Sequence, residues 1–213
     1  MPPLRYARAI ALVAVIAGFV VASARADPGP VLLVVGDSIS AAYGLPSGTG
    51  WVDLLSAHLA AERYPHRVVN ASITGDTTAG GRARVPALLT THRPAIVVLE
   101  LGGNDGLRGG DLASIRDNLA AMVAAIRHSG AQALIVGMKV PPNYGATYAR
   151  GFESIYTDVA KAAKAPLVPF FFEGFGERND MFQPDRVHPT VAAQPLLLDN
   201  VWPALRPLLG KAR

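Results

Sequence analysis

Short unbroken apolar runs alternate along this chain with longer stretches of helical periodicity. Val31 to Val35 is an aliphatic run ended by Gly36. Arg67 to Ala71, Ala95 to Leu101, Ala133 to Met138 and Leu167 to Phe171 read the same way, which predicts five strands. Between them, Trp51 to Glu62 places Trp51, Leu54, Leu55 and Leu59 at helical spacing. Arg82 to Leu89 is predicted helical with Pro86 inside it. Asp111 to Ser129 sets Leu112, Ile115, Leu119, Met122, Val123 and Ile126 on one face, with Gly130 as a stop. Tyr148 to Lys164 and Val191 to Leu209 complete the set, the last bent or delimited by Pro195 and Pro203.

Strands that alternate with helices predict βαβ units and a parallel sheet with helices on both faces. Continuous apolar runs, rather than alternating ones, fit strands covered on both sides. In such sheets the reactive groups gather beyond the carboxyl ends of the strands. The polar residues that follow each apolar run are therefore where chemistry is expected.

The start of the chain reads as an address. Arg5 and Arg8 precede an apolar run of 13 residues, Ile10 to Ala22, and Ala24-Arg25-Ala26 offers small residues to a signal peptidase. This predicts a signal peptide over 1–26, cleavage before Asp27, and a single domain over 27–213. The run is short of the roughly 20 apolar residues that a spanning helix needs, although an uncleaved anchor is the other reading of it. No cysteine follows to carry a lipid, and no second long apolar run appears. The expected product is a soluble, monomeric, periplasmic or secreted protein without a membrane anchor after cleavage. The 20 basic and 16 acidic side chains also change meaning here. Without the leader they become 17 and 16, so the high isoelectric point is no footprint for nucleic acid. The absence of cysteine excludes a disulfide scaffold, a thiolate nucleophile and thiolate-bound metals.

Beyond the first predicted strand lies Gly36-Asp37-Ser38-Ile39-Ser40, beyond the second Asn70 to Thr77, and beyond the third Gly102-Gly103-Asn104-Asp105-Gly106. Ser38 precedes a possible helix, whose positive end favours developing negative charge; taken alone it equally fits a turn or a cap. Asp185 stands three residues before His188. Across a tight loop that spacing lets the carboxylate accept Nδ1–H and leave Nε2 free as a base, though a polar turn before a helix has the same pattern. Two such ligands without a wider cluster do not make a metal site. Asn104 can offer a side-chain N–H, and Gly75 and Ser38 backbone N–H groups, to an oxyanion. No G-x-G-x-x-G or P-loop lysine follows the first strand, which counts against nucleotide binding.

These blocks resemble the SGNH (GDSL-type) hydrolases. The first block is Gly36-Asp37-Ser38-Ile39-Ser40, with isoleucine where leucine is usual. The second holds Gly75 in NASITGDTT, the third Asn104 in GGNDGLRGG, and the last is Asp185-Arg-Val-His188. Further shared stretches, from GDSISAAYGL to the DRVHPT and AQP tail, extend the resemblance from about Val31 to about Leu209 and point to the periplasmic multifunctional thioesterase, protease and lysophospholipase group and the related arylesterases.

The resemblance implies a three-layer α/β/α sandwich around a flavodoxin-like five-stranded parallel sheet. It implies Ser38 as nucleophile, His188 as base, Asp185 as the orienting acid, and an oxyanion hole from Ser38, Gly75 and Asn104. It implies no cofactor and no metal. The substrate expected is a small acyl ester or thioester, an aryl ester, acyl-CoA or lysophospholipid. Leu107, Pro142 and Tyr144, with Met138, Val140 and Pro141, are candidates for an apolar acyl trough or for plain packing. The rivals are a carbohydrate O-deacetylase on the same fold, disfavoured by the lack of aromatic platforms near the blocks, and a non-catalytic periplasmic binding protein.

Overall fold

The structure is a computed structural model that describes residues 29–212. The leader expected over 1–26 lies outside the described residues. Five strands form one parallel sheet: β1 (Val31–Gly36), β2 (Arg67–Asn70), β3 (Ile96–Glu100), β4 (Gln132–Val136) and β5 (Leu167–Val168), in the order β2-β1-β3-β4-β5. The helices are α1 (Trp51–Ala61), α2 (Thr78–His92), α3 (Gly103–Leu107), α4 (Leu112–His128), α5 (Ala146–Ala163) and α6 (Gln194–Leu205). Helices α2, α4 and α5 pack side by side, and α1 packs with α6. The fold is the α/β/α architecture predicted.

Burial explains the pattern. Every residue of β1 and β3 is buried, as aliphatic runs between two helical layers must be. Strand β2, at the sheet edge, is only half-buried. The chain leaves β1 toward β2 on one side and reaches β3 on the other. That reversal opens a crevice beyond the carboxyl ends of β1 and β3, where open parallel sheets bind ligands.

Four elements differ from their predicted form. Helix α2 begins at Thr78, capped by the Thr77 side chain, not at Arg82. Gly80 and Gly81 do not break it, because Gly81 brings the helix against its neighbours: a Cβ there would lie 2.3 Å from Leu101 Cδ1 and 2.9 Å from Met122 Sδ. Pro86 sits on the exposed side of α2, where the carbonyl it leaves without a donor meets water. Strand β5 stops after two residues: Gly137 O is taken by Phe171 N–H rather than by that of Phe170, so the chain leaves the ladder after Val168. The predicted helix over 191–209 divides into α6 with a 3₁₀ turn at each end, Pro195 at its start and Pro203 inside it. The GGNDG segment, for which the sequence pattern predicts no element, forms the short α3.

Candidate active site

The crevice gathers the residues singled out above. Ser38 follows β1 and is 7% exposed. The residues after it form irregular turns rather than the helix considered for them. Ala41 N donates to Asp37 O at 2.9 Å, Tyr43 N to Ser38 O at 3.0 Å, and Ala42 takes a left-handed φ of 57° that ends the winding. No helix dipole is aimed at Ser38 from its own segment.

His188 arrives from the loop before α6. Its Nε2 lies 2.9 Å from Ser38 Oγ, and its Nδ1 lies 2.7 Å from Asp185 Oδ2. Asp185 Oδ1 accepts the backbone N–H groups of Val187 at 2.9 Å and His188 at 3.0 Å. Partial burial of Asp185 would raise its pKa, but the His188 ring, these two N–H groups and the nearby imidazole overcome it and hold the carboxyl at about 2. The carboxylate is thus ionised over the whole working range, and its tight loop fixes the ring that faces Ser38. The Tyr43 ring packs on the imidazole with centroids 4.7 Å apart.

Asn104 lies at the start of α3. Its Nδ2 donates to Asp37 Oδ2 at 3.1 Å and to Asp76 O at 3.0 Å, so both amide hydrogens already have acceptors. Gly75 precedes Asp76 and takes φ 77°, a conformation that a side chain would oppose. The Asp76 side chain is fixed by Arg84, whose Nε donates at 2.7 Å. Asp37 is 2% exposed, and burial pushes its carboxyl up to about 6, with the Ile39 N–H, His188 and Asn104 pulling it back down and Asp76 pushing it up.

A cavity of about 800 Å³ opens over Ser38 and His188. Leu107 and Pro142 line it, with Met138, Val140 and Pro141, as the sequence suggested. Tyr144 does not. Its hydroxyl donates to Leu107 O at 2.6 Å and ties the 142–144 turn to the end of α3. Sequence reasoning missed the opposite wall, Phe170, Phe172, Phe175 and Phe182. These rings pack on one another with centroids 5.5–5.9 Å apart, so they form a clustered apolar wall rather than separate platforms. The run Phe170-Phe171-Phe172 is the available signal, and its first two residues fall at the end of the predicted strand. Lys139, Arg178, Arg186, Glu173 and Glu177 also line the cavity. Among the described residues no group of three or more His, Cys, Asp or Glu side chains is placed to hold a metal ion.

A serine, an imidazole and a carboxylate in one hydrogen-bonded line, beside an apolar cavity, form an arrangement with the chemistry to transfer an acyl group. Residues 34–195 match the GDSL-like lipase/acylhydrolase family. The chain belongs to that family. It is 58% identical to the esterase TesA of Pseudomonas aeruginosa, over 84% of this chain and 89% of that protein. It is 39% identical to thioesterase 1/protease 1/lysophospholipase L1 of Escherichia coli strain K12, over 87% of this chain and 88% of that one. A crystal structure of TesA superposes with a TM-score of 0.82 at 57% identity, covering 84% of this chain and 99% of the other. The family and the fold expected from the GDS, NASITGDTT, GGNDG and DRVH blocks are therefore those of this chain, and it is a hydrolase of the esterase type.

Proposed function

We propose that Ser38, His188 and Asp185 carry out a two-step hydrolysis of carboxylic esters and thioesters, through an acyl-enzyme on Ser38. The observation that carries this reading is the position of His188, bonded at once to Ser38 Oγ and Asp185 Oδ2. Asp185 accepts Nδ1–H and so leaves Nε2 as the acceptor of the serine proton. Attack of Oγ on the carbonyl carbon passes that proton to His188, which then gives it to the departing alcohol or thiol. Water enters by the same route and frees the acid.

The oxyanion is held by the N–H groups of Ser38 and Gly75 and by Asn104. Because both hydrogens of Asn104 have acceptors at rest, the oxyanion shares one of them with Asp37 or Asp76 O. The donor is preorganised rather than recruited, which is the form of stabilisation that lowers barriers most.

The clustered phenylalanines, Leu107, Met138 and Val140 support an apolar acyl group over a sugar acetyl group. Each buried methylene contributes about 0.8 kcal/mol, so the cavity sets the chain-length preference. Aryl esters, acyl-CoA and lysophospholipids share such an acyl group, a range that fits the thioesterase and lysophospholipase of Escherichia coli to which the chain is similar. The apolar leader and its small-residue cleavage site support export of residues 27–213 to the periplasm or beyond as one monomeric domain. Among the described residues no helix is long and apolar enough to cross a membrane.

Turnover of p-nitrophenyl esters of graded chain length, beside acyl-CoA and lysophospholipid, tests the proposal. Ser38→Ala is expected to stop all of them and to abolish labelling by a fluorophosphonate. Ordinary turnover by that variant removes the nucleophile.

A further inference from the structure

Glu100 ends β3 and pairs in register with Gly36 of β1. The side chain is wholly buried against the turn that carries Ser38. Oε2 accepts from Ser40 Oγ at 2.7 Å and from Asp37 N at a long 3.4 Å. Ser40 Oγ in turn accepts from Trp51 Nε1 at 3.2 Å. The missing side chain of Gly36 makes the room, since a Cβ there would lie 2.6 Å from Glu100 Oε2 and 2.7 Å from Ser40 Oγ.

The other oxygen, Oε1, is buried without a hydrogen-bond partner. No ion pair among the described residues includes Glu100. A buried carboxylate with one bare oxygen and no cation is strongly disfavoured; a neutral acid in the same place costs far less. Burial, and then the charge of Asp37, both push Glu100 well above the ordinary carboxyl range.

Asp37 is the second buried acid, and it is better provided. Its Oδ1 accepts the Ile39 N–H at 3.0 Å and its Oδ2 accepts from Asn104 at 3.1 Å. The other titratable groups facing the pair are Tyr156 from α5, Asp105 from α3, Asp76 from the loop after β2, and His188. Arg84 of α2 also approaches, but its guanidinium is bonded to Asp76 and to the carbonyls of Ala71 and Gly36.

We propose that Glu100 is a positioning residue that works as a neutral acid: it clamps the Gly36–Ser40 turn and leaves Asp37 as the buried anion that orients Asn104. The inference rests on the reading of Ser38 as nucleophile and Asn104 as oxyanion donor.

Three variants test it: Glu100→Gln, Glu100→Leu and, as a control on the underlying reading, Ser38→Ala. Each is measured for p-nitrophenyl butyrate turnover against pH and for fluorophosphonate labelling. Glutamine has the shape and acceptor oxygen of the neutral acid, so it is expected to rescue turnover to within about threefold and to leave the acid limb of kcat/KM in place. Leucine removes the acceptor and is expected to lower kcat on the order of a hundredfold with KM nearly unchanged, and to slow labelling in step. If the leucine protein does not fold, Ser40→Ala breaks the same link and is expected to lower kcat by about tenfold.

An acid limb that moves to lower pH in Glu100→Gln overturns the proposal, because it shows that a negative charge has been removed. So does a glutamine protein as slow as the leucine one, or wild-type kcat in Glu100→Leu or Ser40→Ala. Turnover by Ser38→Ala instead overturns the nucleophile, whatever the Glu100 variants do.

Discussion

Ser38 Oγ and His188 Nε2 lie 2.9 Å apart although 150 positions separate them in the chain. The first sits at the end of a buried strand, which is rigid. The second sits in a loop that is held by Asp185, by the Gln183 N–H to His188 O bond of 2.8 Å, and by a strand-like bridge between Phe182 and Pro189. A rigid hydroxyl and a braced imidazole hold this contact in place.

Asp185 is expected to matter through orientation rather than through its own titration. Asp185→Asn replaces the acceptor of Nδ1–H and favours the wrong tautomer, so kcat should fall on the order of a thousandfold or more. In the unchanged protein the carboxyl, held at about 2, does not titrate near neutral pH. The acid limb of kcat/KM therefore does not report Asp185, and a rate profile between about pH 4 and 9 checks this.

Removing the amide of Asn104 separates transition-state from ground-state binding. Asn104→Ala should lower kcat by roughly a hundredfold while KM changes far less. Steady-state kinetics on one short ester suffices, and an equal loss in KM would place Asn104 in ground-state binding instead.

Asp37 should make stability depend on pH with an unusual sign. Its folded pKa of about 6 lies above the ordinary 3.8, so the folded state holds the proton more tightly. Its contribution is most favourable below about pH 4 and is lost as pH rises through about 6, a difference on the order of 3 kcal/mol. Denaturant melts of the wild type and Asp37→Asn across that window should diverge, with the wild type losing ground as pH rises.

Gly81 is expected to be intolerant for packing reasons alone. Alanine there would meet Leu101 Cδ1 at 2.3 Å, inside a core with no slack. Gly81→Ala should destabilise by about 1–3 kcal/mol, seen as a lower melting temperature with kcat at permissive temperature little changed.

Tyr144→Phe removes the bond from the 142–144 turn to Leu107 O and with it the fixed spacing of two segments beside the acyl cavity. The stability change should stay near 1 kcal/mol. KM for long-chain esters should rise more than KM for acetate esters, as a chain-length series will show.

By itself the sequence determined the strand-helix alternation, since an aliphatic run between two helical layers and a helix with one apolar face are written in neighbouring residues. It also determined the candidate triad and the family blocks, because reactive groups of this fold follow directly on those runs. Other features needed the tertiary structure. Whether Gly80-Gly81 breaks α2 depends on how closely Leu101 and Met122 approach, and no local pattern encodes that distance. Tyr144 could be assigned to a hydrogen bond rather than a wall only once Leu107 was beside it. The phenylalanine wall joins residues 170–175 to Phe182 by direct ring contact, which their spacing in the chain does not reveal. Glu100 looks like one more strand-end residue until Gly36 closes over it. Periodicity records what each residue needs from water; what it meets inside the protein is decided by which distant segments fold against it.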